Sequence, residues 1–132
     1  MALKIVLKPH ERMIFGGTVV TNGGTKCELL IETNTSILRE KDIITEEQAD
    51  SPCRRLYLVI QLMYVDEKNL VGYHSAYWKL VRELVEAAPS VLGIIDQISE
   101  NILSNDYYQA LKLVKKLIEY EQEVLHNAHL RT

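Results

Sequence analysis

The sequence has few of the residues from which catalytic and metal sites are built. It contains only two cysteines, Cys27 and Cys53, and four histidines in 132 residues. With no CxxC pair and no Cys/His cluster, the pattern argues against a zinc site or a disulfide framework and favours reduced thiols in a cytoplasm. The motifs HExxH, GxSxG and GxGxxG and the P-loop are absent as well. We therefore expect a protein that is not an enzyme and that uses no cofactor and no metal.

Long apolar runs are missing too. The longest, Leu56–Val65, includes Gln61 and falls far short of the roughly 20 residues that a membrane-spanning helix needs. Lys4 and Lys8 interrupt the apolar N-terminal segment, where a signal peptide needs an unbroken run. These absences predict a cytoplasmic protein that does not contact a membrane. The residues that are present, 47% hydrophobic and 25% charged, are typical of one small globular core or two small lobes.

Charge is distributed unevenly along the chain. Residues 1–55 carry eight basic and eight acidic side chains, whereas the remainder carries seven basic and ten acidic ones, for a net charge of -3. Non-specific binding of nucleic acid depends on clustered cations that neutralise phosphates. A chain with this balance cannot coat nucleic acid indiscriminately, so any contact must be local.

The first half has the pattern of short β-strands. Leu3, Ile5 and Leu7 alternate with more polar neighbours at the period of two that gives a strand one apolar face. The glycine pairs at 16–17 and 23–24 predict hairpin turns, and Asn22-Gly23 is the stronger signal of the two. We expect a small antiparallel sheet or barrel built from segments 3–8, 12–15, 18–21, 26–33 and 35–38.

The second half changes to a helical period. Ser51 and Pro52 suit an N-cap and a first helical position, which favours a helix over a central strand for the apolar segment that follows. Amphipathic segments then run over 74–88, 91–102 and 107–125, the last with Asn105 as its expected cap. The sequence thus predicts an α+β fold with a β-rich part over residues 1–50 and three to four helices over 51–132.

Basic side chains form the candidate binding site. Lys4 and Lys8 share a face of the first strand, Arg39 and Lys41 close the strand run, and other cations begin the first helix. If the last strand lies beside the first, these cations meet at one edge, where phosphates and splayed bases of RNA could bind. The full candidate set is Lys4, Lys8, Arg12, Arg39, Lys41, Arg54 and Arg55. The alternative is a solvated face whose cations pair with Glu11, Glu40 and Asp42.

Aromatic residues are concentrated in the other half. All seven tyrosines and Trp78 follow residue 56, and only Phe15 lies among the strands. Because base-stacking platforms usually place aromatic residues on a sheet, this distribution argues against an RRM or cold-shock surface. We interpret most of the tyrosines as packing residues. The helical half could also expose a groove for an amphipathic partner helix or a face for self-association.

Four blocks of the chain, in order, resemble the FlbT family of flagellar regulators of alphaproteobacteria. They are LKIVLKPHERMIFGG followed by VVTNG, then LLIETNTSILREKDIIT, SPCRRLYLVIQLMYVDE and NDYYQALKLVKKLIEYE. The resemblance implies a post-transcriptional regulator that associates with the untranslated leader of flagellin messenger RNA. It also implies that the regulator acts mainly as a repressor promoting decay of the transcript, alongside the small flagellar protein FlaF.

The strand half is also similar to the CsrA family of small dimeric translational regulators, which bind RNA with edge strands. The similarity lies in residues 4–8, in His10-Glu11 and in residues 38–41, and it implies Arg39 as the RNA-contacting arginine. The sequence departs from that pattern at Leu7, near which CsrA has an arginine, so that Lys8 or Lys4 would supply this cation. It departs again at Leu38, which replaces a histidine.

These observations lead to two hypotheses about function. The first is a repressor that binds the 5′ untranslated leader of flagellin mRNA; because short edge strands need pairing or covering, we expect it to be a homodimer. The second is an adaptor or chaperone-like protein that binds no RNA itself and acts through its helical half with FlaF or flagellin. Direct RNA binding that weakens with added salt separates the two.

Overall fold

The computed structural model describes residues 3–131, and it describes side chains as far as Val124. The chain divides into two compact units, Met1–Ile43 and Ile44–Thr132. The first unit contains antiparallel strands and the second contains four helices. The predicted α+β fold class is therefore confirmed.

The first unit contains two small antiparallel sheets. In one of them β1 pairs with β4, and in the other β2 lies between β3 and β5. The pairing of the last strand with the first, on which the predicted binding edge depended, is wrong. Strand β5 is hydrogen-bonded to β2, and β1 is hydrogen-bonded to β4. The strands are β1 Leu3–Leu7, β2 Arg12–Phe15, β3 Thr18–Thr21, β4 Cys27–Ile31 and β5 Ile37–Arg39, and a 3-10 helix follows at Glu40–Asp42.

One apolar cluster joins the two sheets. Ile5 and Leu7 of β1 are buried against Met13 of β2, and half-buried side chains from β2, β4 and β5 surround them. The predicted alternation of β1 is what directs Ile5 and Leu7 to this face. Burial of such a side chain contributes about 1.5–3 kcal/mol. Since a two-stranded sheet is marginally stable by itself, this cluster stabilises both sheets.

The two glycine pairs have different roles. Gly16 and Gly17 join β2 to β3 in a two-residue turn with φ of 53° and 88°, so the hairpin predicted there is confirmed. The hairpin predicted at Asn22-Gly23 is wrong, because β3 and β4 belong to different sheets. The Asn22 side-chain amide instead donates hydrogen bonds to carbonyl oxygens at the end of β1 and in its own loop, namely those of Leu7 (3.2 Å), Lys8 (3.0 Å) and Thr25 (2.9 Å).

The second unit is a helical bundle. Helix α1 packs on α2 and α4, and α3 packs on α4. The apolar segment after Pro52 is helical, as predicted, and its buried Gln61 is satisfied by both backbone groups of Ile44, at 2.9 and 3.0 Å. The helices are α1 Pro52–Val65, α2 Leu70–Ala87, α3 Leu92–Leu103 and α4 Tyr107–Arg131.

The ends of the helices show which caps could be predicted. Ser51 caps α1 by accepting a hydrogen bond from the Arg54 N–H at 3.2 Å, as predicted. Asn105 does not cap α4: its φ of 61° and its N–H, bonded to the Ile102 carbonyl, place it just after the end of α3 in a Schellman motif. The cap of α4 is Asp106, whose carboxylate accepts from the N–H of Gln109 at 3.3 Å.

Candidate nucleic-acid interface

Three of the seven candidate cations line one depression on the β unit. Lys8 directly follows β1, Arg39 ends β5, and Lys41 lies in the 3-10 helix after β5, and the three side chains line this depression. The depression is open to solvent and has a volume of about 600 Å³. The other residues that line it are Pro9, His10, Glu11 and Glu40.

Arg39 is held in place by the backbone of β1 and by Glu11 in the turn after that strand. Its Nη2 donates a hydrogen bond to the carbonyl of Val6 at 2.9 Å and lies 3.6 Å from the carboxylate of Glu11. A guanidinium has five N–H donors, and 43% of this side chain is exposed. Arg39 therefore ties β5 to β1 and keeps donors available to a ligand.

The turn after β1 forms one wall of the depression. Its backbone closes through the N–H of Glu11, which donates to the Lys8 carbonyl at 3.1 Å, while the Lys8 N–H donates to the Glu11 carboxylate at 2.9 Å. His10 has a φ of 64°, and its N–H donates to the Asn22 carbonyl at 2.7 Å. His10 is not among the residues predicted for the site, although its position next to Lys8 and Pro9 was a usable signal.

Lys8 and Lys41 are two candidate cations for which the structure gives no ion pair among the described side chains. Both are exposed. Over the part of the chain whose side chains are described, neither lysine has a carboxylate within the 4.0 Å of an ion pair. Their ammonium groups can therefore bind a phosphate without first giving up a protein partner.

The other four candidates lie outside the depression, and three of them pair with carboxylates. Lys4 is 3.4 Å from Glu28 on the outer face of the β1–β4 sheet, and Arg12 is 3.7 Å from Glu40. In the helical unit Arg54 is 2.8 Å from Asp50, and this hydrogen bond lowers the pKa of the Asp50 carboxyl. Arg55 donates to the backbone carbonyl of Ser51 at 3.3 Å.

The interpretation of the basic residues as paired surface charges is thus confirmed in part. Glu11 pairs with Arg39 and Glu40 with Arg12, as that alternative predicted. The Arg12–Glu40 pair is exposed on both sides, and such pairs contribute at most about 1 kcal/mol, so a phosphate can compete with Glu40. The Glu11 carboxylate, by contrast, is only 14% exposed.

Other kinds of site are not visible within the described residues. No group of three or more His, Cys, Asp or Glu side chains there is arranged to hold a metal ion. Among the helices of that region, none combines the length and the apolar character required to cross a membrane. Among the described residues, the depression that Lys8, Arg39 and Lys41 line is therefore the candidate binding site.

Comparison with known proteins identifies the family. Residues 3–125 match the family described as "Flagellar protein FlbT". The chain belongs to the FlbT family. No solved structure matches it significantly.

Individual FlbT relatives agree with this membership over nearly their whole length. A protein of Bradyrhizobium diazoefficiens, named "Probable flagellum biosynthesis repressor protein FlbT 1", is 48% identical over 125 residues, which cover 94% of this chain and 85% of the relative. A repressor of the same kind in Rhodopseudomonas palustris is 42% identical, with 95% and 98% covered. The "Flagellum biosynthesis repressor protein FlbT" of Caulobacter vibrioides is 37% identical, with 95% and 90% covered. The chain is therefore a member of a family of flagellum-biosynthesis regulators, a role that is not itself catalytic.

Proposed function

We propose that this FlbT-family protein represses flagellum biosynthesis after transcription, by binding the 5′ untranslated leader of flagellin mRNA. The leader binds in the depression lined by Lys8, Arg39 and Lys41, where it is withheld from ribosomes or presented to nucleases. The names of the relatives support the repressor role, and the sequence resemblance supports the flagellin leader as target. The observation that carries the proposal is the convergence of three cations in one open depression.

The chemistry of the depression suits single-stranded RNA. Lys8 and Lys41 supply point charges for phosphates, and Arg39 supplies a planar fork of donors that matches phosphate oxygens. An open shape admits an unpaired strand whose bases are splayed out. Glu11 and Glu40 on the same surface limit how many phosphates can bind, which agrees with local rather than extended contact.

The remaining candidates contribute less in this proposal. Lys4, Arg12 and Arg54 would have to exchange a carboxylate partner for a phosphate, which reduces the net gain. Arg55 already donates to a backbone carbonyl of its own helix. We expect substitutions at these four positions to lower RNA affinity less than substitutions at Lys8 and Lys41.

Titration of purified protein with fluorescent flagellin leader RNA tests the depression. The double variant Lys8→Ala/Lys41→Ala is expected to raise the Kd about tenfold, equivalent to about 1.4 kcal/mol, without loss of folding because neither lysine pairs with a described carboxylate. The matched control is Lys26→Ala/Lys79→Ala, which removes two exposed lysines outside the depression and should leave the Kd within twofold. Equal Kd values for the wild type and the Lys8/Lys41 variant would show that RNA does not bind there.

We further propose that the protein acts as a cytoplasmic homodimer. Within the described residues, β1 and β4 form a two-stranded sheet, so each has an open edge of the kind that proteins usually pair or cover. Sedimentation equilibrium tests this directly. A single species at the 15.2 kDa of one chain, over a wide concentration range, would contradict it.

The second candidate function is an adaptor that acts through the helices. It is favoured by large apolar side chains exposed on that unit, above all Val71 at 87% and Leu103 at 71% exposure, since the docking of a partner would cover such side chains. An adaptor would not bind leader RNA by itself. RNA binding that appears only after FlaF or flagellin is added would favour this function over the first.

A further inference from the structure

Helix α4 carries a basic segment in the acidic half of the chain. From Tyr107 to Ile118 its only charged residues are three lysines, Lys112, Lys115 and Lys116, although the whole chain has a net charge of -3. The buried side chains of this segment are Ala110, Leu111, Val114 and Leu117. They turn one face of α4 into the bundle and leave the lysines exposed on the solvent side.

Exposed tyrosines accompany these lysines. Tyr108 is 40% exposed and Tyr120 is 45% exposed. Together with Lys112 and Lys116 they recur at every fourth residue, which on an α-helix forms a continuous ridge about 18 Å long. We call these four residues the α4 ridge.

The environment of Tyr108 shows how the ridge could hold a ligand. The ammonium of Lys112 lies 4.8 Å from the centre of the Tyr108 ring, and the ring of Tyr64 is 6.3 Å away, tilted by 42°. Tyr64 supports Tyr108 from within the unit, whereas Lys112 covers the ring with a flexible stem. An exposed contact between a cation and an aromatic ring is weak, so a ligand can displace the ammonium and then pair with it.

We propose that the α4 ridge is a second contact surface for single-stranded RNA, separate from the depression on the β unit. An unpaired base stacks on the Tyr108 ring in place of Lys112, and the phosphates beside it pair with Lys112 and Lys116. Sequence-tolerant binding of single strands commonly combines aromatic stacking with a track of cations. The lysines lie in a segment, 107–118, that has no acidic side chain and that ends before Glu119, which favours a polyanion at this part of the ridge. The exposed ring of Tyr108 favours a polyanion that carries bases.

The proposal rests on the proposed RNA binding but uses none of the residues of the depression. The first test is photo-crosslinking of the full chain to single-stranded RNA that contains 4-thiouridine, followed by mapping of the modified peptides. We expect a crosslink at Tyr108 or Tyr120, and crosslinks confined to the β unit would overturn the proposal.

Affinity measurements with the same RNA give the second test. Lys112→Ala/Lys116→Ala should raise the Kd about tenfold, and since alanine favours helix the variant should keep its fold. Lys79→Ala/Arg82→Ala removes two exposed cations from α2 and should change the Kd less than twofold. Tyr108→Leu should weaken binding about tenfold, whereas Tyr108→Phe, which keeps a ring for stacking, should not.

The outcomes separate this proposal from the function proposed above. If only the Lys8→Ala/Lys41→Ala variant loses affinity, the ridge is rejected and the depression stands; this is also the result expected if the ridge binds an acidic protein. If only the ridge variants lose affinity, the ridge is supported and the depression is rejected. If the wild-type protein binds no RNA, both are rejected.

Discussion

Arg39 combines a structural and a binding role in one side chain. Its hydrogen bond to the Val6 carbonyl and its approach to Glu11 connect the end of β5 to β1, and hydrogen bonds from charged groups contribute about 1.5–3 kcal/mol when well formed. Since the side chain is 43% exposed, we expect Arg39→Ala to lower the free energy of unfolding by about 1–2 kcal/mol, measured by urea denaturation. Lys41→Ala, two residues further on, should change it by less than about 0.5 kcal/mol.

This dual role determines how binding data at Arg39 should be interpreted. A lower RNA affinity of Arg39→Ala would combine a lost phosphate contact with a displaced strand end. Arg39→Lys keeps the charge but loses the planar fork. If Arg39→Ala proves as stable as the wild type, the tie between β5 and β1 does not contribute to folding, and the side chain serves only the site.

Cys53 is a second residue whose environment sets its chemistry. It is buried, and burial together with the nearby Glu121 carboxylate raises the pKa of its thiol to about 12. Because the thiolate is the reactive form, at pH 8 the native protein holds almost no reactive Cys53. In a Cys27→Ala variant, alkylation by iodoacetamide should be about a hundredfold or more slower in native buffer than in denaturant. Comparable rates would show that the thiol is accessible and ionised in the folded state.

At the scale of elements, the β2–β3 hairpin depends on the backbone freedom of Gly16. Its φ is +53°, and a Cβ added there would lie 2.7 Å from the Thr35 hydroxyl oxygen. Left-handed backbone and a close contact both oppose alanine, so Gly16→Ala should lower the free energy of unfolding by about 1–2 kcal/mol. Gly23→Ala, where a Cβ meets nothing within 4 Å, is the matched control and should be nearly neutral.

The steric part of this effect can be separated from the backbone part. Thr35→Ala removes the oxygen that the new Cβ would meet, so the double variant Gly16→Ala/Thr35→Ala should recover part of the lost stability. Simple additivity of the two single effects in urea denaturation would show that the strain comes from φ alone.

Elements were predictable where their determinants are local in sequence. Ser51-Pro52 at the start of α1 and Gly16-Gly17 in the hairpin each act within a few residues, and both predictions are confirmed. Asn22 and Asn105 were assigned wrongly. The role of Asn22 depends on hydrogen bonds from its side chain to carbonyl groups at the end of β1, which are distant in sequence and which no local pattern reveals. Asn105 ends the preceding helix, although asparagine is equally suited to the cap at the start of the next one.

Of the seven cations predicted for the binding site, three line one depression, and their role in binding RNA stays a prediction. Lys8, Arg39 and Lys41 do meet, but through the reach of the Arg39 side chain to Val6 and not through pairing of the last strand with the first. The sequence indicated Glu40 as a partner for one of the cations but could not show that this cation is Arg12. It also could not show that Lys4 pairs with Glu28, since both pairs join residues far apart in the chain. The sequence did not predict the α4 ridge either, because tyrosines in helices are usually packing residues.

At the scale of the whole molecule, the net charge of -3 means that RNA affinity must come from a few cations at defined positions. Each phosphate neutralised on a single strand contributes about -0.7 to the slope of log K against log salt. Three cations in the depression predict a slope of about -2, and the two lysines of the α4 ridge would bring it to about -3.5. Equilibrium titrations of the wild type and of Lys112→Ala/Lys116→Ala over a range of salt concentrations therefore show how many surfaces bind RNA. If the two slopes differ by about 1.4, the depression and the α4 ridge both contact the RNA. If both slopes are near -2, only the depression does.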